Sequence, residues 1–217
     1  MHEAVLAVFS EPGPVLPLEE FTRWYDEEHV PMRMSTFPEF LTGARYQASD
    51  GKQPSFAAFY DISSFALFEQ PKYINLRTDR SPRESRIFAE IGTIDRRTYK
   101  CLEDKHPGTN RDYYPFVLTV ESSQVLDDLK SELERLPGWK RSRTCHLVDF
   151  SVTGSLQVSS TDSTRLPAVL LIVDFDNQNE NASIFPLLDL KAKNLCGENF
   201  TVRTWKLLRF WENSSQP

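Results

Sequence analysis

Glycine is scarce, with 8 residues in a chain of 217. None falls in a G-x-G-x-x-G or G-x-x-x-x-G-K pattern, so a glycine-built phosphate cradle is excluded. G-x-S-x-G is absent as well, which removes support for a hydrolase nucleophile elbow. Only 3 cysteines occur, Cys101, Cys145 and Cys196. An odd, scattered set is not a disulfide framework and suits a reducing, cytoplasmic setting. With no H-x-x-x-H and no C-x-x-C, no metal is expected. Long apolar runs are missing too. Residues 1–9 lack a basic flank, are too short to span a bilayer and read as a first strand. The formal charge of −6 is shared by both halves of the chain. That is the wrong sign for binding nucleic acid or an anionic membrane.

What is abundant is aromatic: 12% of residues, 15 of them Phe, within a 40% hydrophobic chain. Such a composition suits a filled core or an apolar pocket. The chain also repeats itself. Arg97-Thr98-Tyr99-Lys100-Cys101-Leu102 returns as Arg203-Thr204-Trp205-Lys206-Leu207-Leu208. Weaker echoes keep the same order: residues 5–9 with 116–120, 40–45 with 138–143, and Tyr60-Asp61-Ile62 with Val173-Asp174-Phe175. Residues 1–108 and 109–217 are therefore read as two copies of one unit.

Each copy follows one grammar. The first predicts strand 4–10, helix 18–29, strands 40–48 and 55–62, helical material over 64–91, and strand 94–103. Phe21, Tyr25 and His29 recur at helical spacing, Glu19 and Glu20 suit the helix start, and Pro31 is expected to end it. Strand 55–62 is apolar on both faces, as for a sheet covered on both sides. The second copy predicts strand 114–121, helix 125–136, strands 139–150 and 167–175, helix 183–194 and strand 200–211. Residues 153–166 read as a polar loop. The order β-α-β-β-α-β is ferredoxin-like, and each four-stranded sheet leaves one face bare. Two copies packed sheet to sheet bury those faces as an intramolecular α/β barrel of the α+β class, and a chain duplicated in this way is expected to be a monomer.

At Trp24-Tyr25-Asp26-Glu27-Glu28-His29-Val30-Pro31 the sequence resembles the dimeric α/β-barrel superfamily, in particular EthD-like proteins, whose first helix carries W-Y-x-x-E-H-x-P. The second copy lacks this segment, so the resemblance implies a single site. It also implies cavities between sheet and helices and varied chemistry: cyclases, decarboxylases, isomerases, lyases, cofactor-free oxygenases and, in distant branches, haem enzymes. Duplicated EthD-like chains are familiar in fungal secondary metabolism, so the resemblance also implies an apolar natural-product substrate.

His29 is the leading candidate, because an imidazole exchanges protons near neutrality. Tyr25 and Tyr60 offer hydroxyls to polarise a carbonyl, and Phe21 and Trp24 an apolar wall. Arg45 and Arg143, placed alike on the second strands, either hold a substrate carboxylate or serve the structure. His146 is a second acid/base candidate, its direction left open by strand parity. His2 reads as terminal, Asp61 and Asp174 as strand-end residues suited to turns, and Arg77, Arg80, Arg83 and Arg86 as a solvated face. These readings predict a cofactor-independent cyclase, isomerase, lyase or decarboxylase acting on an apolar carbonyl compound with His29 as acid/base. The alternatives are a non-catalytic ligand-binding barrel and a cofactor-free oxygenase.

Overall fold

A computed structural model describes residues 2–107, 114–156, 166–176 and 200–213. Its eight strands are β1 (Ala4–Glu11), β2 (Phe40–Ala48), β3 (Phe56–Ile62), β4 (Thr93–Lys105), β5 (Phe116–Ser122), β6 (Trp139–Thr153), β7 (Val169–Phe175) and β8 (Phe200–Glu212). They close into one antiparallel barrel in the order β1-β3-β2-β8-β5-β7-β6-β4. Each copy contributes four neighbouring strands. The seams between copies are β2–β8 and β4–β6. The expected helix 183–194, most of the loop 153–166, the junction between copies and Cys196 lie outside the described residues.

Strand alternation decides what fills the barrel. Val5, Ala7 and Phe9 of β1 point inward to Phe59, Tyr99 and Trp205. Leu6 and Val8 point outward, beneath the helices of the first copy. In the second copy Leu118 and Val120 face outward against Leu129 and Leu133 of a short helix, Asp127–Leu133. Every residue of β3 is buried, as expected of a strand covered on both faces.

The repeated arginine motif clasps the two copies. Arg97 ion-pairs Asp95 at 2.6 Å and reaches Glu121 of the other copy at 2.6 Å. Arg203 returns the gesture to Asp50 at 2.7 Å. At the opposite barrel end, Arg143 bonds Asp61 of the first copy at 2.7 Å and Asp174 at 2.9 Å. Asp61 and Asp174 are thus buried ion-pair partners, not turn residues; their strands run on to Ile62 and Phe175. His2 is not a loose end either. It is buried between Asp61 and Asp104, whose charges outweigh the burial that would lower its pKa and hold it at about 9. Cys101 and Cys145 stand opposite each other in the β4–β6 register as free thiols.

The first helix departs from expectation at Pro31. α1 (Leu18–Trp24) runs into a widened turn, Tyr25–His29, and continues as α2 (Val30–Thr36). Proline has no N–H to give the preceding turn. The backbone instead makes a five-residue step, Val30 N–H to the Tyr25 carbonyl. Such π-bulges re-aim side chains and gather at functional sites. Here the re-aimed residue is His29.

Candidate functional site

A cavity of about 200 Å³ lies between the outer face of the first copy's sheet and its helices. Leu6, Val8 and Ile94 form the sheet side, and Tyr25 and His29 come down from the widened turn. Two further helices close the far wall: α3 (Pro71–Ile74) with Tyr73, and α4 (Pro82–Glu90) with Glu84 and Phe88. The sheet side is apolar; the walls carry aromatic rings together with charged and polar groups.

His29 is the central one. Its Nδ1 lies 2.7 Å from Oε1 of Glu84, and both residues are buried. Burial, helped by the Arg33 charge, lowers the His29 pKa to about 4 despite the neighbouring carboxylate. Burial works to raise Glu84, but the hydrogen bond from His29 and the charges of His29, Arg33 and Arg80 leave it below its ordinary value. At neutral pH the pair is therefore a neutral imidazole beside a carboxylate. A carboxylate only accepts, so the ring proton sits on Nδ1 and donates to Glu84. Nε2, left with its lone pair, makes no bond to any described residue. Trp24, its ring centroid 4.3 Å from that of His29, helps keep water from the imidazole.

Sequence inspection missed Glu84, although a local signal exists. Ser81-Pro82-Arg83-Glu84 reads S-x-x-E before an apolar stretch, the form of a capping box. Half of the box forms: Ser81 Oγ accepts from the Glu84 N–H at 3.0 Å. The Glu84 side chain does not turn back to complete it but goes to His29. Ser81 in turn donates to Glu28, tying α4 to the widened turn.

The expected hydroxyls are both present. Tyr25 and Tyr60 line the cavity, each about 1% exposed. The Tyr60 hydroxyl has no hydrogen-bond partner among the described residues; Ser10 sits beside that of Tyr25 without completing a bond. Burial raises both phenols above their ordinary pKa, so they stay protonated as donors. Gly43 stands opposite Tyr60 in the β2–β3 register, and a Cβ there would lie 3.0 Å from the Tyr60 ring. The glycine makes room for the tyrosine.

Other candidates lie elsewhere. Phe21 and Trp24 are buried behind the cavity and support Tyr25, at 5.0 and 4.7 Å between ring centroids. Arg45 points outward to α1, bonding the Thr22 carbonyl and Asp26. Arg143 points into the barrel. The two look equivalent in sequence, but opposite Asp61 and Asp174 stand Thr42 and Arg141, so the matched strands are slipped by one residue. One residue reverses a side chain's face. His146 is exposed on β6 and meets no part of the cavity. The arginine run divides: Arg83 and Arg86 pair with Glu20 on the surface, whereas Arg77 and Arg80 line the cavity. Arg77 stays exposed as expected of a solvated face, and Arg80, half-buried, is the one that departs from that reading. Among the described residues no His, Cys, Asp or Glu cluster could hold a metal ion.

No family model matches the sequence, and no curated protein matches it significantly. Solved structures do match in shape. An anthrone oxidase-like protein aligns over 100% of this chain and 95% of its own, with a TM-score of 0.63 and 12% identity. The chain shares with it the fold of two ferredoxin-like units closed into one eight-stranded antiparallel barrel. A protein assigned as a monooxygenase from Fusobacterium nucleatum aligns over 97% and 95%, with a TM-score of 0.56 and 9% identity. Another so assigned, from Lactobacillus acidophilus, covers 97% of each chain at a TM-score of 0.53 and 8% identity. At such identities the likeness shows this fold alone. No helix among the described residues is long and apolar enough to cross a membrane.

Proposed function

We propose that this barrel is a cofactor-independent oxygenase whose reaction begins when His29 removes an acidic C–H proton from an apolar carbonyl compound. The observation that carries the reading is the His29–Glu84 pair: a buried imidazole in the wall of the cavity, held through Nδ1 and with no partner for Nε2 among the described residues. Glu84 fixes the tautomer and stabilises the imidazolium that forms, the division of labour seen in other carboxylate–histidine bases. Tyr25 or Tyr60 donates to the substrate carbonyl, and Arg33, bonded to the His29 carbonyl at 2.9 Å, adds positive field to the forming enolate. Dry apolar walls strengthen each of these interactions.

The fold's likeness to oxidase and monooxygenase structures favours O2 as the next reactant over the cyclase, isomerase or lyase chemistry expected from sequence. The carbanion gives an electron to O2 and the radicals combine as a peroxide anion. The imidazolium returns its proton to that peroxide, and loss of water leaves a carbonyl. In sum, CH2 and O2 become C=O and H2O. Anthrone, with one acidic methylene, is the probe. The wild-type chain should consume one O2 per quinone formed, and His29→Gln should lose at least 100-fold in turnover with its melting temperature kept. A folded, fully active His29→Gln protein overturns the reading. The chain supplies both sheets of the barrel itself, and light scattering should return the mass of a monomer.

A further inference from the structure

We infer that the natural substrate is an organic anion: a ring-bearing carbonyl compound that also carries a carboxylate, held by Arg77, Arg80 and Arg96 while its acidic carbon faces His29. This rests on the proposed function, because it names the substrate class for the same site. Four guanidinium groups line the cavity, those three and Arg33, against one carboxylate, Glu84. Glu84 is already bonded to His29, and Arg33 is bonded to the His29 carbonyl with Glu84 Oε1 4.0 Å away.

The remaining three are short of partners. Arg77, exposed at the cavity mouth, and Arg80, half-buried, make no ion pair with any described residue. Arg80 stands over the Phe88 ring, its guanidinium carbon 3.9 Å from the centroid, a contact that uses none of its N–H donors. Arg96 donates to the Tyr73 hydroxyl at 3.3 Å, and its Nη1 is buried with no hydrogen bond to any described residue. The carboxylate nearest that nitrogen, Asp149, stands 3.6 Å off and is largely exposed. A chain with a formal charge of −6 has acidic groups to spare, yet among the described residues the one ion pair it gives these three is the exposed Asp149 beside Arg96. Clustered like charges repel at an apolar boundary unless a ligand neutralises them. Guanidinium planes held by aromatic rings present a fixed fork, and a carboxylate fits that fork with two bonds.

The test is calorimetric titration with 2-naphthoate and its methyl ester. The wild-type chain should bind the acid at least tenfold more tightly than the ester, with the preference shrinking as salt rises. Arg80→Gln and Arg96→Gln should each weaken the acid about tenfold or more and leave the ester unchanged. Arg86→Gln, on the surface pair with Glu20, should change neither. Equal affinity for acid and ester, no binding of the acid, or an unaltered acid affinity in both cavity variants overturns the inference. His29→Gln separates the two ideas. If it keeps full turnover while acid binding persists, the proton-transfer reading fails and the anion site stands.

Discussion

His29 and Glu84 show how burial, rather than residue type, sets a side chain's chemistry. A free imidazole is half protonated near pH 6.5, whereas this one is neutral down to about 4. Activity limited by the base should therefore stay level through the neutral range and fall only as pH drops through about 4. Stability carries the same signature. The unfolded chain binds this proton near 6.5 and the folded chain near 4, so between those values acidification favours unfolding. Glu84→Gln tests the tautomer. A glutamine amide can donate to Nδ1 and drive the ring proton onto Nε2, so turnover should fall by a factor on the order of 10² to 10⁴ with the fold retained. Gly43→Ala should act through its neighbour: the added methyl meets the Tyr60 ring, and kcat/KM should fall more than the melting temperature does. His29, Tyr25 and Tyr60 were legible in sequence because one helix stripe and one strand expose them together. Glu84 was not, because its partner is far off in the chain and its local pattern resembles an ordinary cap.

Among the elements, strand positions were largely legible: β2 runs over the expected 40–48, and the others begin or end within a few residues of expectation. Alternating burial and Gly or Pro punctuation carry that information locally. Two features escaped it. The slip between β2 and β6 depends on cross-strand register, which no local pattern encodes, and it separates Arg45 from Arg143. The widened turn depends on Pro31 being accommodated inside a helix rather than ending it. Pro31→Ala restores the missing N–H and allows a regular helix from Leu18 to Thr36. Helicity should rise slightly while turnover drops at least tenfold, because His29 rotates away from Glu84; circular dichroism and kinetics on one sample check both. Scarce glycine also has a place here. Gly13, Gly92 and Gly154 meet at one barrel rim, where a Cβ on Gly154 would lie 2.2 Å from the Gly92 carbonyl oxygen. Gly154 also has φ +131. Gly154→Ala should cost about 1–3 kcal/mol in denaturant unfolding.

For the whole molecule, duplication replaces a subunit interface with buried charge across internal seams. The motif that betrays the repeat, R-T-aromatic-K, is read easily from the sequence, but its role emerges only with the barrel closed: each arginine reaches an acid in the other copy. Arg143→Met leaves Asp61 and Asp174 facing each other with less compensation, and should cost about 3–5 kcal/mol of unfolding free energy. The His2 pair gives the opposite pH sign to His29. Its pKa is raised to about 9, so its contribution is full below 6.5 and lost as pH rises through about 9. The stability curve should therefore decline on both sides of neutrality. The loss between pH 6.5 and about 4 should shrink in His29→Gln, and the loss between pH 6.5 and about 9 should shrink in His2→Gln.

The neutral, singly bonded imidazole over the cavity is the claim on which the mechanism stands, and nuclear magnetic resonance of 13C- and 15N-labelled histidine observes it without a substrate. His29 should titrate near pH 4, with its proton on Nδ1 and an unprotonated Nε2 throughout the neutral range, and that pattern should be lost in Glu84→Gln. A His29 ring that is protonated on both nitrogens at pH 7, or that carries its proton on Nε2, would contradict the account.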